Sequence, residues 1–130
     1  MLILNHPLIQ PLNLVFASSK KEIEHSVPSD FLILQCKKLN ALLNLAKFCK
    51  ENRISFSAIP TNLKEALLLV NLNVRFLLTQ NLDFAITLQK LAETYLFDTK
   101  ILVCIKEETS IENIAHYGID GVLFATIPQI

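Results

Sequence analysis

Six short apolar runs punctuate the chain: LNLVFA (12–17), FLILQ (31–35), ISFSAI (54–59), VRFLL (74–78), KILVCI (100–105) and GVLFA (121–125). Most are continuous in Val, Ile, Leu and Phe rather than alternating. Continuity of that kind predicts strands covered on both faces, as parallel sheets require. ISFSAI alternates and is expected nearer an edge. The segments between the runs carry a helical period instead. From Leu39, apolar residues recur at Leu42, Leu43, Ala46 and Cys49, with Lys47, Lys50 and Glu51 opposite. Residues 81–97 place Phe84, Leu88, Leu91 and Tyr95 on one stripe. In NLKEALLLVNLN, Asn62 stands three positions before Glu65, a capping-box spacing that satisfies free N–H groups at a helix start. TSIENIAHYG repeats that spacing with Thr109 and Glu112 and stops at Gly118. The first connection, 18–30, has room only for a short helix before Pro28.

Strand and helix therefore alternate about five times, the pattern of an α/β domain with right-handed crossovers. No linker, low-complexity segment or charge block divides the 130 residues, so one domain over 1–130 is expected. The predicted fold is a single three-layer α/β domain with a mostly parallel sheet of about five or six strands. Two arrangements fit: a flavodoxin-like doubly wound sheet, or a half-barrel. Strand order separates them, since a doubly wound sheet reverses its order and a half-barrel keeps it sequential.

The only two glycines, Gly118 and Gly121, sit within four positions of each other. Gly118 is expected to supply the left-handed turn that ends the last helix. Gly121 is expected to let the returning strand start close to its neighbours. With both glycines at one helix-to-strand joint, neither a G-x-G-x-x-G loop nor a P-loop can be written anywhere in the chain.

Composition narrows the function classes further. Hydrophobic residues make up 52% and charged residues 18%, and the mean hydropathy is +0.41. Little surface can then be covered by charge, so either the core is large for the length or apolar surface is buried between chains. A homo-oligomer is expected, with a protein partner as an alternative. Net charge is zero, and the mild basic excess of 20–53 is offset by an acidic excess from Lys64 onward. No clustered basic stripe suited to a phosphate backbone exists, and nucleic acid is not an expected partner. Three cysteines without CxxC spacing point to reduced thiols and a cytoplasmic setting. The segment 1–19 is apolar, but it lacks a basic start and is broken by Pro7 and Pro11, so a cleaved leader is not expected. No run approaches the ~20 apolar residues of a membrane-spanning helix.

The closing stretch KILVCIKEETSIENIAHYGIDGVLFATIP resembles the last βαβ unit of (β/α)-barrel enzymes, among them the keto-deoxy-phosphogluconate aldolases and the glycerophosphodiester phosphodiesterases. IPTNLKEALLLVNLNVRFLLTQNLD resembles an aldolase-type βαβ unit, and the likeness spans 54–128. It implies a barrel-like path of the chain. Chemistry is not carried across with it. Those aldolases use a Schiff-base lysine on an inner strand, whereas LVCI and GVLFA contain none and Lys106 lies just past its strand. The phosphodiesterases use an early His-Arg pair and metal-binding carboxylates, which LNLVFASS does not supply. At 130 residues the chain is also shorter than the ~200 or more of a complete eight-stranded barrel. Receiver domains are similar in length and carry a Thr/Ser and a Lys where Thr79 and Lys106 fall. Their acidic pair is replaced here by Ser18 and Ser19, and their phospho-accepting Asp by Pro60-Thr61.

In parallel sheets, ligands bind beyond the carboxyl ends of the strands. Lys37, Thr61, Thr79 and Lys106 fall there and are the candidate ligand-binding residues, suited to a phosphorylated or carboxylated metabolite. The same residue types also serve as caps and turns. Cys36, between a strand and a helix and beside Lys37 and Lys38, is a candidate reactive thiol, because nearby cations favour a thiolate. His6, His25 and His116 show no ligand spacing, so neither a metal nor a cofactor is expected. His116 fits the end of its helix. FATIPQI, with Ile127 and Ile130, is expected to pack against the domain or a partner subunit. The expected function is a non-catalytic α/β binding or regulatory module. The alternatives are a small enzyme or binding protein for an anionic metabolite, and a half-barrel that completes a barrel by dimerising.

Overall fold

A computed structural model describes residues 1–129. In chain order, the strands are β1 (Leu2–Leu4), β2 (Leu14–Ala17), β3 (Phe31–Leu34), β4 (Ser57–Ala58), β5 (Phe76–Thr79), β6 (Lys100–Ile105) and β7 (Gly121–Phe124). The helices are α1 (Lys20–His25), α2 (Leu39–Glu51), α3 (Leu63–Val70), α4 (Leu82–Tyr95) and α5 (Ile111–His116), the last preceded by a 3₁₀ turn over Glu108–Ser110. All pairings are parallel, and the order across the sheet is β1-β7-β6-β5-β4-β3-β2. Apart from β1, that order is sequential, and the sheet is the half-barrel of the two predicted arrangements. It has seven strands rather than five or six. The added strand is β1, whose three residues precede Pro7 and carry no helix of their own.

Successive right-handed crossovers in one direction place every helix on the same side of the sheet. The core divides accordingly. Buried helical residues such as Ile23, Leu42, Leu69, Leu88 and Ile114 join Leu34, Leu77, Ile101, Val103 and Val122 in one cluster. A second cluster contains no helical residue: Ile33, Phe76, Leu78, Leu102, Cys104 and Leu123 form its buried centre. Strand residues thus alternate between a convex, helix-covered face and a concave face. Leu4 of β1 and Leu14 and Phe16 of β2 pack on that same concave cluster. In a flat sheet the two edges would lie about 29 Å apart, six gaps of about 4.8 Å. Edge strands reaching one cluster require a curl, and the curl buries the face that the helices leave uncovered.

Two connections complete the concave layer. Segment 5–13 runs from β1 directly to β2 without a helix. Asn5 anchors it by donating to the Phe124 carbonyl (2.7 Å) and accepting from the Leu12 N–H (2.7 Å). Asn5 holds a left-handed φ of 59°, which asparagine tolerates better than most residues. The carboxyl-terminal segment passes from β7 toward β3, with Ile127 on the concave cluster and the Pro128 carbonyl accepting from Gln35 Nε2 at 2.8 Å. The tail therefore packs on the domain. Ile130, the other apolar residue of that expectation, lies outside the described residues.

The glycine joint behaves as anticipated. Gly118 has φ +68°, and its N–H donates to the Ala115 carbonyl at 3.0 Å. A Cβ on Gly121 would sit 2.5 Å from the Leu2 carbonyl oxygen and 2.9 Å from Leu102 Cδ2. Between them, Asp120 joins three elements. Its carboxylate accepts from the Ile101 N–H (2.9 Å), its N–H donates to Gln89 Oε1 (3.0 Å), and its carbonyl accepts from the Leu2 N–H (2.8 Å).

The α4 stripe is rotated from the predicted one. Ala85, Leu88, Gln89 and Ala92 are buried, whereas Tyr95 is exposed. Two alanines bring the helix close to the sheet, and Gln89 turns inward to meet Asp120. A mixed small and polar face of that kind is invisible to a count of large apolar side chains.

Candidate functional site

The carboxyl ends of the strands divide into two regions. Beyond β2 and β4, the polar residues are bound to one another. Ser19 Oγ caps α1 by accepting from the Glu22 N–H (3.3 Å), and the Ser18 and Ser19 hydroxyls both donate to Glu22 Oε1 (3.1 Å each). The Ser18 N–H bond holds the Glu22 carboxyl below its usual range; burial opposes it, and the two hydroxyls lower it further. Beyond β4, Asn62 Oδ1 accepts from the Glu65 N–H (2.9 Å), and the Thr61 hydroxyl donates to Glu65 Oε2 (2.6 Å). The predicted capping box is formed, and Thr61 is part of it.

Beyond β5, β6 and β7 lies a cleft of about 580 Å³. That volume falls within the range of small-molecule sites. Leu82, Val103, Ile105, Ile114 and Ala125 provide apolar walls, and Gln80, Lys106, Glu107, Thr109, Ser110 and Asn113 provide polar ones. None of these six polar side chains takes part in a hydrogen bond or ion pair with another described residue. The local sequence suggests otherwise, because Thr109 and Glu112 have capping-box spacing. Here a 3₁₀ turn precedes α5, the cap falls on Ser110, and its hydroxyl makes no capping bond. Thr109 is thereby released from the role the spacing predicts.

One flank of the cleft loop is fixed by a buried histidine. The His6 ring is packed edge-on to Phe124, with centroids 5.0 Å apart. Its Nδ1 accepts from the Leu8 N–H (3.1 Å) and its Nε2 contacts the Glu108 carboxylate. This links segment 5–13 to the loop that carries Lys106 and Glu107.

The four predicted ligand residues do not gather in one place. Lys37 is exposed beyond β3, and Thr61 is committed to Glu65. Thr79 is buried, and its hydroxyl accepts from the Asn81 N–H at 3.0 Å, while Asn81 caps α4. Only Lys106 lines the cleft. Thr109, Ser110 and Asn113 were not singled out by sequence as ligand residues. Cys36 also departs from expectation. Burial, then the negative charge of Glu22, raises its thiol above the ordinary value, opposite to the activation that Lys37 and Lys38 suggested. Cys104, at the base of the cleft, is pushed up to about 12 by burial, and Cys49 to about 11. These thiols are held in the protonated form.

No protein-family model matches the chain, and no curated protein matches it. Among the described residues, no group of three or more His, Cys, Asp or Glu side chains is placed to hold a metal ion. No helix among them is long and apolar enough to cross a membrane.

Proposed function

We propose that the protein is a non-catalytic α/β binding module that holds a small polar metabolite in the cleft beyond β5, β6 and β7. The observation that carries this reading is the set of polar side chains around the cleft without partners among the described residues. Elsewhere on the same edge, comparable residues are spent on caps. Side chains left free over an apolar floor suit a ligand that brings its own polar groups. The non-catalytic part rests on the concave face. In (β/α) barrels, reacting groups project from strand ends at that end of the barrel. The concave cluster here is built from aliphatic and aromatic side chains and one protonated thiol, and Ile127 packs over it. The likeness to barrel enzymes is, on this reading, one of architecture.

The module is also proposed to be a cytoplasmic homo-oligomer. Leu8 and Ile9 at the tip of segment 5–13, and Leu63 and Leu67 on α3, remain exposed and favour a partner surface. Free thiols support the compartment. A panel of carboxylates, phosphates, sugars and amino acids, screened by amide chemical-shift mapping, tests the function. Saturable shifts confined to residues 80–82, 104–114 and 125 are expected from at least one class. A silent panel, or shifts centred on β2–β4, would contradict the proposal.

A further inference from the structure

We infer that the cleft ligand is a small zwitterion of the amino-acid type with an aliphatic body, a conclusion that rests on the cleft being a ligand site. Charge count decides against a phosphorylated ligand. Lys106 is the single cation lining the cleft, and it is followed directly by Glu107 and Glu108. No arginine lines the cleft to give phosphate the two-pronged recognition it favours. A dianion would gain one ammonium and face the Glu107 carboxylate beside it. A monocarboxylate that also carries an ammonium matches the set better. Its carboxylate meets Lys106, and its ammonium meets Glu107. Neither residue has an ion-pair partner among the described residues.

The remaining chemistry agrees. Ser110 and Asn113 each offer both a donor and an acceptor, so they can serve either end of a zwitterion. Neither spends its side chain on another described residue. Below them, Val103, Ile105 and Ile114 are buried aliphatic residues that form a dry floor. An aliphatic body resting there removes apolar surface from water, and a sugar would leave that floor unmatched. Glu108 is held by His6 and so does not compete with Glu107 for the ammonium.

The test is an amide chemical-shift titration of the full chain with L-leucine, isocaproate (leucine without its ammonium), isoamylamine (leucine without its carboxylate) and inorganic phosphate. L-leucine is expected to shift Gln80, Ser110, Asn113 and Ala125 saturably. Isocaproate and isoamylamine should each bind about tenfold or more weakly, the cost of losing one charged hydrogen-bonding group. Lys106→Met should weaken leucine while sparing isoamylamine, and Glu107→Gln should weaken leucine while sparing isocaproate. Both side chains are exposed, and an otherwise unchanged amide spectrum verifies that each variant folds. Phosphate or isocaproate binding as tightly as leucine would overturn the zwitterion and leave the cleft standing as an anion site. Failure of leucine to move the cleft residues would also overturn it. The cleft reading itself falls only if the wider panel of carboxylates, phosphates and sugars is silent as well.

Discussion

The two halves of the strand-end edge contain similar residues and use them differently. Beyond β2 and β4, Ser19 and Asn62 accept from main-chain N–H groups three positions on, and Glu22 and Glu65 accept from the N–H groups of Ser18 and Thr61. Beyond β5 to β7, Thr109, Ser110 and Asn113 line a concavity, and their side chains bond to no other described residue. The difference is made by a turn. Where a helix starts directly after its cap, the hydroxyl or amide is spent on the helix. Where a 3₁₀ turn intervenes, the backbone N–H groups are engaged differently and the side chains are free. Residue type alone therefore does not mark a site; commitment to the backbone does.

Several substitutions break or sharpen this contrast. The largest effect is expected at the joint that brings β7 and β6 into place under the cleft. Gly121→Ala would drive a methyl group against the Leu2 carbonyl and Leu102. We expect about 3 kcal/mol of lost stability in urea unfolding, typical of severe overpacking against backbone. Gly118→Ala has open space around its Cβ and suffers only from its left-handed φ. About 1–2 kcal/mol is expected there, so the two glycines should separate clearly in the same assay.

Next in size is the alkaline limb of stability. Cys104 and Cys49 are raised by burial to about 12 and about 11 from an ordinary value of 9.0. A thiol whose folded-state value is raised stabilises the fold fully below the unfolded value, and that contribution fades as pH climbs toward the folded value. Stability is therefore expected to fall between pH 9 and about 12. Cys104→Val should flatten that fall relative to wild type, and a parallel decline in both proteins would refute the assignment.

Cap substitutions carry the comparison itself. Asn62→Ala removes a bond to the Glu65 N–H and should cost about 1 kcal/mol. Ser110→Ala removes no bond and should stay within about 0.5 kcal/mol of wild type. Equal costs at the two positions would show that the halves do not differ.

Much of the fold was legible in the sequence for reasons these residues make clear. KILVCI became β6 with the same boundaries, because a continuous buried run flanked by polar residues permits little else. Asn62 and Glu65 announced a helix start that formed as written. Three features were hidden. LIL at 2–4 is too short to read as a strand, and it is one because Gly121 leaves room for it beside β7. Gln89 was not singled out, and it is buried with its amide oxygen accepting from the Asp120 N–H. The cleft was hidden because TSIE has the spacing of a cap, and spacing does not report whether a 3₁₀ turn comes first. Lys106 was found by its place after a strand; Ser110 and Asn113 needed the turn to be seen.

The central claim is that the polar residues of the cleft serve a ligand and not the fold. Urea unfolding of a Gln80→Ala/Ser110→Ala/Asn113→Ala variant, with and without L-leucine, tests it most directly. Without ligand, the variant should lie within about 0.5 kcal/mol of wild type. At a hundredfold excess of leucine over its dissociation constant, wild type should gain about 2.7 kcal/mol and the variant far less. A variant destabilised by about 2 kcal/mol or more without ligand, as expected when hydrogen-bonded residues are truncated, would contradict the account.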